Sequence, residues 1–195
     1  MMDKESIVKF IQKNATFSET IINEIVKNFE IKHIPKNDFL LSTGKICNEY
    51  FFLEAGYMRA YIYDYNGCDV TTNFYFKNQP VFDASSFFFR SASKENIQAL
   101  TDCKGWVLNY DTMDKLFHSI PEFREFGRSM LVKEFVSLKE RMVSALTETA
   151  EERYLTLIQN NPDIFQYSTL KNIASYLGVT DTSFSRIRKN ALKKG

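Results

Sequence analysis

The sequence predicts an α+β chain: N-terminal helices, an antiparallel β-roll of the jelly-roll kind, a long helix suited to dimerisation, and a C-terminal helix-turn-helix domain. Three observations predict it. From about Ile31 to Tyr110, short runs of Phe, Tyr, Val, Ile and Thr are broken by turn residues, the rhythm of a small closed β-architecture. After Pro121, apolar residues recur at spacings of four and three over some 25 positions. Finally, Leu170 to Lys189, read LKNIASYLGVTDTSFSRIRK, sets five apolar residues, one Ala and one Gly where a helix, a tight turn and a second helix need them. The divisions expected are 1–120, 121–148 and 149–195.

At 195 residues the chain is long enough to bury a true core. Its 44% apolar and 25% charged residues are those of a soluble globular protein. Aromatics crowd into residues 50–90, which hold half of the 18 Phe and 10 Tyr. Cys47, Cys68 and Cys103 are odd in number and widely spaced, without a CxxC, which excludes a disulfide or zinc framework. Free thiols fit a reducing cytoplasm, so a cytoplasmic location is expected. The opening MMDKESIVKFIQKN mixes acids into its apolar residues and lacks a signal-peptide core. With no long apolar run, neither a transmembrane helix nor a membrane partner is expected.

Residues 4–13 carry the stripe Ile7, Phe10, Ile11, and residues 18–30 carry Ile21, Ile22, Ile25, Val26, Phe29. Both stripes have helical spacing, and Ser18 is positioned to cap the second helix. Pro35, Asn37 and Asp38 then end the helical pattern. Strands are expected at 39–43, 50–54, 57–64, 70–76, 96–101 and 106–110. Met58, Ala60 and Ile62 alternate with Arg59, Tyr61 and Tyr63, and Asn66-Gly67 is a hairpin-turn dipeptide. A closed roll of this size leaves an interior that can hold a small ligand.

Met113, Leu116 and Phe117 mark a short helix, and Pro121 opens a long one over about 122–146. Leu131, Phe135, Leu138, Met142 and Ala145 form a coiled-coil-like seam on it. Phe126, Met130, Val136, Val143 and Leu146 form a second stripe. Two stripes require two neighbours, the helix's own roll and a second subunit, which makes a homodimer the expected state. Residues 150–160, AEERYLTLIQN, form a further helix ended by Asn161-Pro162, and a short link to Ser168 follows.

In the C-terminal motif, Ile173, Ala174 and Leu177 share one helix face, Gly178 supplies the turn, and Thr180 caps the second helix. Ala174 must be small because the second helix crosses close to it. With Phe184 and Ile187 inward, Asp181, Thr182, Ser183, Ser185, Arg186, Lys189 and Asn190 face out or lie near the outer face. In this motif the start of the second helix enters the major groove of duplex DNA. From Ser168 onward, Lys171, Arg186, Arg188, Lys189, Lys193 and Lys194 stand against the single acid Asp181, while the whole chain carries only +1. That concentration is the electrostatic footprint of a DNA-binding end. An ordinary helical hairpin with a solvated basic tail is the plain alternative, but it does not require the seven-position match.

Roll, long helix and helix-turn-helix in this order resemble the Crp–Fnr superfamily of transcription regulators over nearly the whole chain. The resemblance rests on FFLEAGYMRAYIYD, the AEERY helix and IASYLGVTDTSFSRIRK. It implies an effector-sensing roll, a dimerising helix and a C-terminal domain that reads a pseudo-palindromic operator in double-stranded DNA. RNA polymerase is then a candidate partner and a small molecule a candidate effector. The family's guanine-contacting arginine matches Arg186. Its two other base-reading positions fall on Asp181 and Thr182, which implies a different target. Ser183 and Lys189 are expected to meet phosphates, and Thr180 and Ser185 complete the predicted interface. The family's β-hairpin wing has little room here, so weaker and more salt-sensitive binding is expected.

The effector cassette departs further from the family. Cyclic-nucleotide-binding members carry a Gly-Glu pair and then an Arg-Ser/Thr-Ala motif. Those positions fall here on Phe82-Asp83 and on Ser93-Lys94-Glu95. Arg90-Ser91-Ala92 does spell the second motif, three residues early. The candidate pocket residues are therefore Phe82, Asp83, Arg90, Ser91, Ser93 and Lys94. Burying a phosphate without a cationic partner is costly, so a ligand other than cyclic AMP is expected. Phe87, Phe88 and Phe89 suit an apolar effector or none.

An iron–sulfur sensor needs four cysteines, and a haem sensor would have only His33 and His118 as ligands. No metal site and no bound cofactor are expected, and the three thiols read best as small packing residues. A cupin-like barrel enzyme would need two or three histidines with a carboxylate, and the roll has His33 alone. No nucleophile elbow or phosphate loop occurs, so no catalytic residues are assigned and no enzymatic activity is expected. The competing function is a ligand-binding roll that signals through protein contacts with a degenerate helix-turn-helix. Arg186 and the basic C-terminus argue against that degeneration.

Overall fold

The computed structural model describes residues 4–194, with side chains through Ala191. Lys193 and Lys194, counted above in the basic end, have side chains outside the described residues. The chain divides into two compact units, residues 1–60 with 74–133, and residues 61–73 with 134–195.

In the first unit, α1 (Glu5–Asn14) and α2 (Glu19–Val26) precede the strands. The Ser18 hydroxyl caps α2 by accepting from the Ile21 N–H, as expected. Lys4 donates to the carbonyls of Val26 and Phe29, both at 2.7 Å, and so closes the end of α2. The strands are β1 (Glu30–Ile34), β2 (Phe39–Leu41), β3 (Glu49–Ala55), β4 (Met58–Tyr63), β5 (Asp69–Tyr75), β6 (Gln79–Val81), β7 (Asn96–Ala99) and β8 (Cys103–Asn109). They form two four-stranded sheets, β1-β8-β3-β6 and β2-β7-β4-β5. The core lies among them, with Phe51, Phe52, Leu53, Met58, Ala60, Val81 and Ile97 fully buried. Gly105 is obligatory: a Cβ there would meet the Phe52 carbonyl at 2.2 Å and the Phe51 ring at 2.6 Å.

Three elements of this unit went unread in the sequence. β1, EIKHI, buries only Ile34, so its apolar pattern is faint. β6 is three residues long and contains Pro80, tolerated because it lies at a sheet edge. The helix α3 (Ala84–Phe89) is set by the Asp83 side chain, which accepts from the Ser86 N–H, and ends at Arg90 in the left-handed region with φ 54°. Those local caps outweigh the β preference of three consecutive Phe.

Helix α4 (Tyr110–Ser119) is capped by Asn109 and leads into α5 (Pro121–Thr147). Phe123 and Phe126 at the start of α5 are buried, but residues 131–143 are all exposed.

The second unit holds α6 (Ala150–Asn160), α7 (Ile164–Tyr167), α8 (Leu170–Tyr176) and α9 (Asp181–Lys194). α6 starts with a full capping box: Thr149 accepts from the Glu152 N–H, and Glu152 accepts from the Thr149 N–H. The stretch 162–168, expected to be a link, contains α7, whose Ile164 is buried.

Candidate functional site

Helices α8 and α9 meet through Leu177, Gly178, Val179 and Thr180. Gly178 sits at φ +69°, the conformation that favours glycine. The Thr180 hydroxyl accepts from the Ser183 N–H at 3.3 Å and lies 3.1 Å from the Ser183 hydroxyl, so these two predicted interface residues are joined as the N-cap. Ile173, Ala174, Leu177 and Phe184 are buried, and the Phe184 ring meets Tyr154 of α6 edge-on at 5.6 Å. Burial of Phe184 orients α9. It leaves Asp181, Thr182, Ser185, Arg186 and Lys189 exposed at i, i+1, i+4, i+5 and i+8, one continuous face, with Ser183 half-buried beside it.

The predicted effector residues do not converge. Asp83 and Ser93 do meet: one Asp83 oxygen accepts from the Ser86 N–H, and the other lies 2.6 Å from the Ser93 hydroxyl. The Ser86 hydroxyl donates to the Ser91 carbonyl at 2.6 Å and accepts from the Cys47 N–H at 2.8 Å. Arg90 turns elsewhere. Its guanidinium donates to the carbonyls of Cys47 and Phe87 and to the Asn48 side chain, and lies 3.9 Å over the Tyr110 ring. Phe82 joins an aromatic cluster with Tyr50, Phe87 and Phe88 at centroid distances of 5.2, 5.5 and 6.1 Å. Lys94 is exposed. Burial raises the Cys47 thiol above its ordinary range, although backbone hydrogen bonds oppose the shift. Among the described residues no group of His, Cys, Asp and Glu is placed to hold a metal ion, and no helix is long and apolar enough to cross a membrane.

Residues 31–119 match the cyclic nucleotide-binding domain family. A search of curated proteins gives no match. Among solved structures, a putative transcriptional regulator of the Crp/Fnr family from Eubacterium rectale is similar over 92% of this chain and 85% of its own, at 15% identity and TM-score 0.72. FixK2 from Bradyrhizobium japonicum is similar over 86% of each chain, at 14% identity and TM-score 0.71. The c-di-GMP-responsive global regulator CLP of Xanthomonas campestris is similar over 91% of this chain and 93% of its own, at 11% identity and TM-score 0.68. The chain has the fold of Crp/Fnr-family transcriptional regulators.

In this cyclic nucleotide-binding-like roll, the position expected to carry the family's phosphate-binding arginine is Ser93. Its hydroxyl is engaged by a carboxylate, not a cation. A phosphate placed there would face Asp83.

On α5 the seam residues Leu131, Phe135, Leu138 and Met142 are 45%, 67%, 61% and 56% exposed. Ala145 is exposed as well. The second stripe splits: Phe126 is buried and Met130 packs on the core, whereas Val136, Val143 and Leu146 are exposed.

Two residues that the sequence reading passed over shape the motif. Arg153 donates to the carbonyls of Glu148 at 2.6 Å and Leu177 at 2.9 Å, tying α6 to the turn between α8 and α9. Arg188, counted only as a charge, is half-buried with its guanidinium 5.1 Å over the Phe165 ring. The AEERY string was the only sequence trace of Arg153, and nothing local marked Arg188.

Proposed function

We propose that the protein is a dimeric, sequence-specific DNA-binding transcription regulator of the Crp–Fnr type, and that its roll does not take cyclic AMP. The observation that carries this reading is the exposed face of α9. A helix held by buried Phe184 and a capped, glycine-turned approach presents Asp181, Thr182, Ser185, Arg186 and Lys189 together. Arg186 can meet guanine O6 and N7 with two hydrogen bonds, and Asp181 can accept from a cytosine amino group. Lys189 meets phosphate. The exposed apolar seam of α5 supports pairing of two copies, which sets two recognition helices on a palindrome.

The test is selection of genomic fragments by the purified protein, followed by a salt titration on the best sequence. A palindrome with half-sites about 34 Å apart, one helical turn, is the expected product. Purely non-specific binding, with and without a small-molecule extract, overturns the reading. Cyclic AMP should leave the melting temperature unchanged, because Asp83 and Ser93 already satisfy one another. A saturable rise overturns that half of the proposal.

A further inference from the structure

The second unit contains more than its helices. Residues 61–73, the far end of the β4–β5 hairpin, belong to it. The tip is internally braced: one Asp64 carboxylate oxygen accepts from the N–H groups of Asn66 and Cys68, both at 2.9 Å. Farther along β5, two contacts reach α8 and a third reaches α5. Asp69 and Lys171 form an ion pair at 3.4 Å. The Thr71 N–H donates to the Ser175 hydroxyl at 3.2 Å, and the two hydroxyls are 2.9 Å apart. The Thr72 carbonyl accepts from Arg141 at 2.8 Å, and that guanidinium lies 4.8 Å over the Tyr176 ring. Thr71 is 4% exposed, so its bond to Ser175 is sheltered from water.

These contacts select one side of α8. Lys171, Ser175 and Tyr176, at i, i+4 and i+5, share a face, while Ile173, Ala174 and Leu177 on the other face are buried. The first helix of the motif is therefore gripped from both sides, and α9 is joined to it by the short turn at Gly178. Lys171 is also the one cation of α8, and in this motif the first helix crosses the DNA backbone. While Asp69 holds it, that charge is already neutralised.

We propose that hairpin 61–73 is a latch on the helix-turn-helix. Closed, it fixes α8 and withholds Lys171. Open, it releases α8 and α9 to move together and hands Lys171 to a phosphate. The DNA half of this inference rests on the proposed function; the latch itself does not.

The experiment is hydrogen exchange on the full chain, comparing wild type with Ser175→Ala, Asp69→Lys and the charge-swapped pair Asp69→Lys with Lys171→Glu. Ser175→Ala removes the acceptor of the Thr71 N–H. Exchange at Thr71 and along α8 should quicken about five- to tenfold, with β3 and β8 unchanged. Asp69→Lys should quicken α8 alike, and the swapped pair should restore protection. Unchanged exchange at Thr71 and α8 in both single variants overturns the latch. A second arm measures affinity for a random-sequence duplex against salt. Asp69→Asn should steepen the dependence of log affinity on log salt by about 0.9, one additional phosphate contact. An unchanged slope overturns the withholding of Lys171. Wild type that binds no duplex, with the exchange effects intact, overturns the DNA reading and supports the latch.

Discussion

Leu138→Glu tests the assembly on which the DNA reading depends. Leu138 is 61% exposed and stands in the middle of a seam with Leu131, Phe135 and Met142. Full burial of a leucine side chain stabilises by about 1.5–3 kcal/mol. At 61% exposure, about 1–2 kcal/mol remains to be gained against a partner. A two-fold pair loses that contribution twice, about 2–4 kcal/mol, which raises the dimer dissociation constant about 30- to 1000-fold. Two carboxylates brought near the axis push it higher. Sedimentation velocity over a concentration series reads the change. Wild type should sediment as a dimer and Leu138→Glu as a monomer with unchanged far-ultraviolet circular dichroism. Glu140→Gln, on the same helix but off both stripes, should remain a dimer. A Leu138→Glu protein that dimerises like wild type would place the interface elsewhere and refute the reasoning.

Arg186→Ala should lower affinity for the selected operator by about 1–3 kcal/mol, five- to 150-fold, while leaving the dimer intact; unchanged affinity removes α9 as the reading helix. Arg153→Ala strips the donor from the Leu177 and Glu148 carbonyls and should lower the melting temperature of the second unit, read by calorimetry. Burial raises the Glu54 carboxyl, but hydrogen bonds from Ser6, Lys104 and Trp106 and the Lys104 charge outweigh it, so the net shift is downward from 4.5. Its stabilisation is therefore full at neutral pH and is lost as pH falls from 4.5 through the lower folded-state value. Glu54→Gln should flatten that acid limb of stability, and an identical limb would deny the cluster any role. Burial raises the Cys47 and Cys103 thiols while Cys68 is exposed, so a thiol reagent should label Cys68 rapidly in the native protein and all three after unfolding. Rapid labelling of all three in native protein would contradict the packing role.

What the sequence showed follows the range of the interactions that decide each element. The strands at Phe39, Tyr50, Met58 and Val70 were legible because alternation and turn dipeptides are local. So was the order of α8, Gly178 and α9, since five apolar positions at helical spacing state it. Edge strand β6 escaped because an edge tolerates Pro80, which argues against a strand read in isolation. Helix α3 escaped because its decisive feature is one carboxylate cap ahead of three Phe. In the cassette, Arg90 was legible as part of a motif, but its direction was not. The partners that turn it, Asn48 and Tyr110, lie 42 residues before it and 20 after it. Thr71 and Ser175 are 104 residues apart and carry no pattern that links them.

A cassette that seats a cyclic phosphate needs a cation where this chain has Ser93, and its nearest partner is the Asp83 carboxylate. A phosphate at that position would face a carboxylate, and the neighbouring rings of Tyr50, Phe82, Phe87 and Phe88 pack against one another. At the other end, Asp69 holds Lys171 as a phosphate would. An ion pair whose lysine is 64% exposed is weak and salt ions compete for it, so it does not hold the hairpin closed by itself. The hydrogen bond at buried Thr71 is not exposed to that competition. Its opening must come from movement of the hairpin itself, which makes Ser175 rather than Lys171 the residue whose substitution separates control of the reading helix from its contact with DNA.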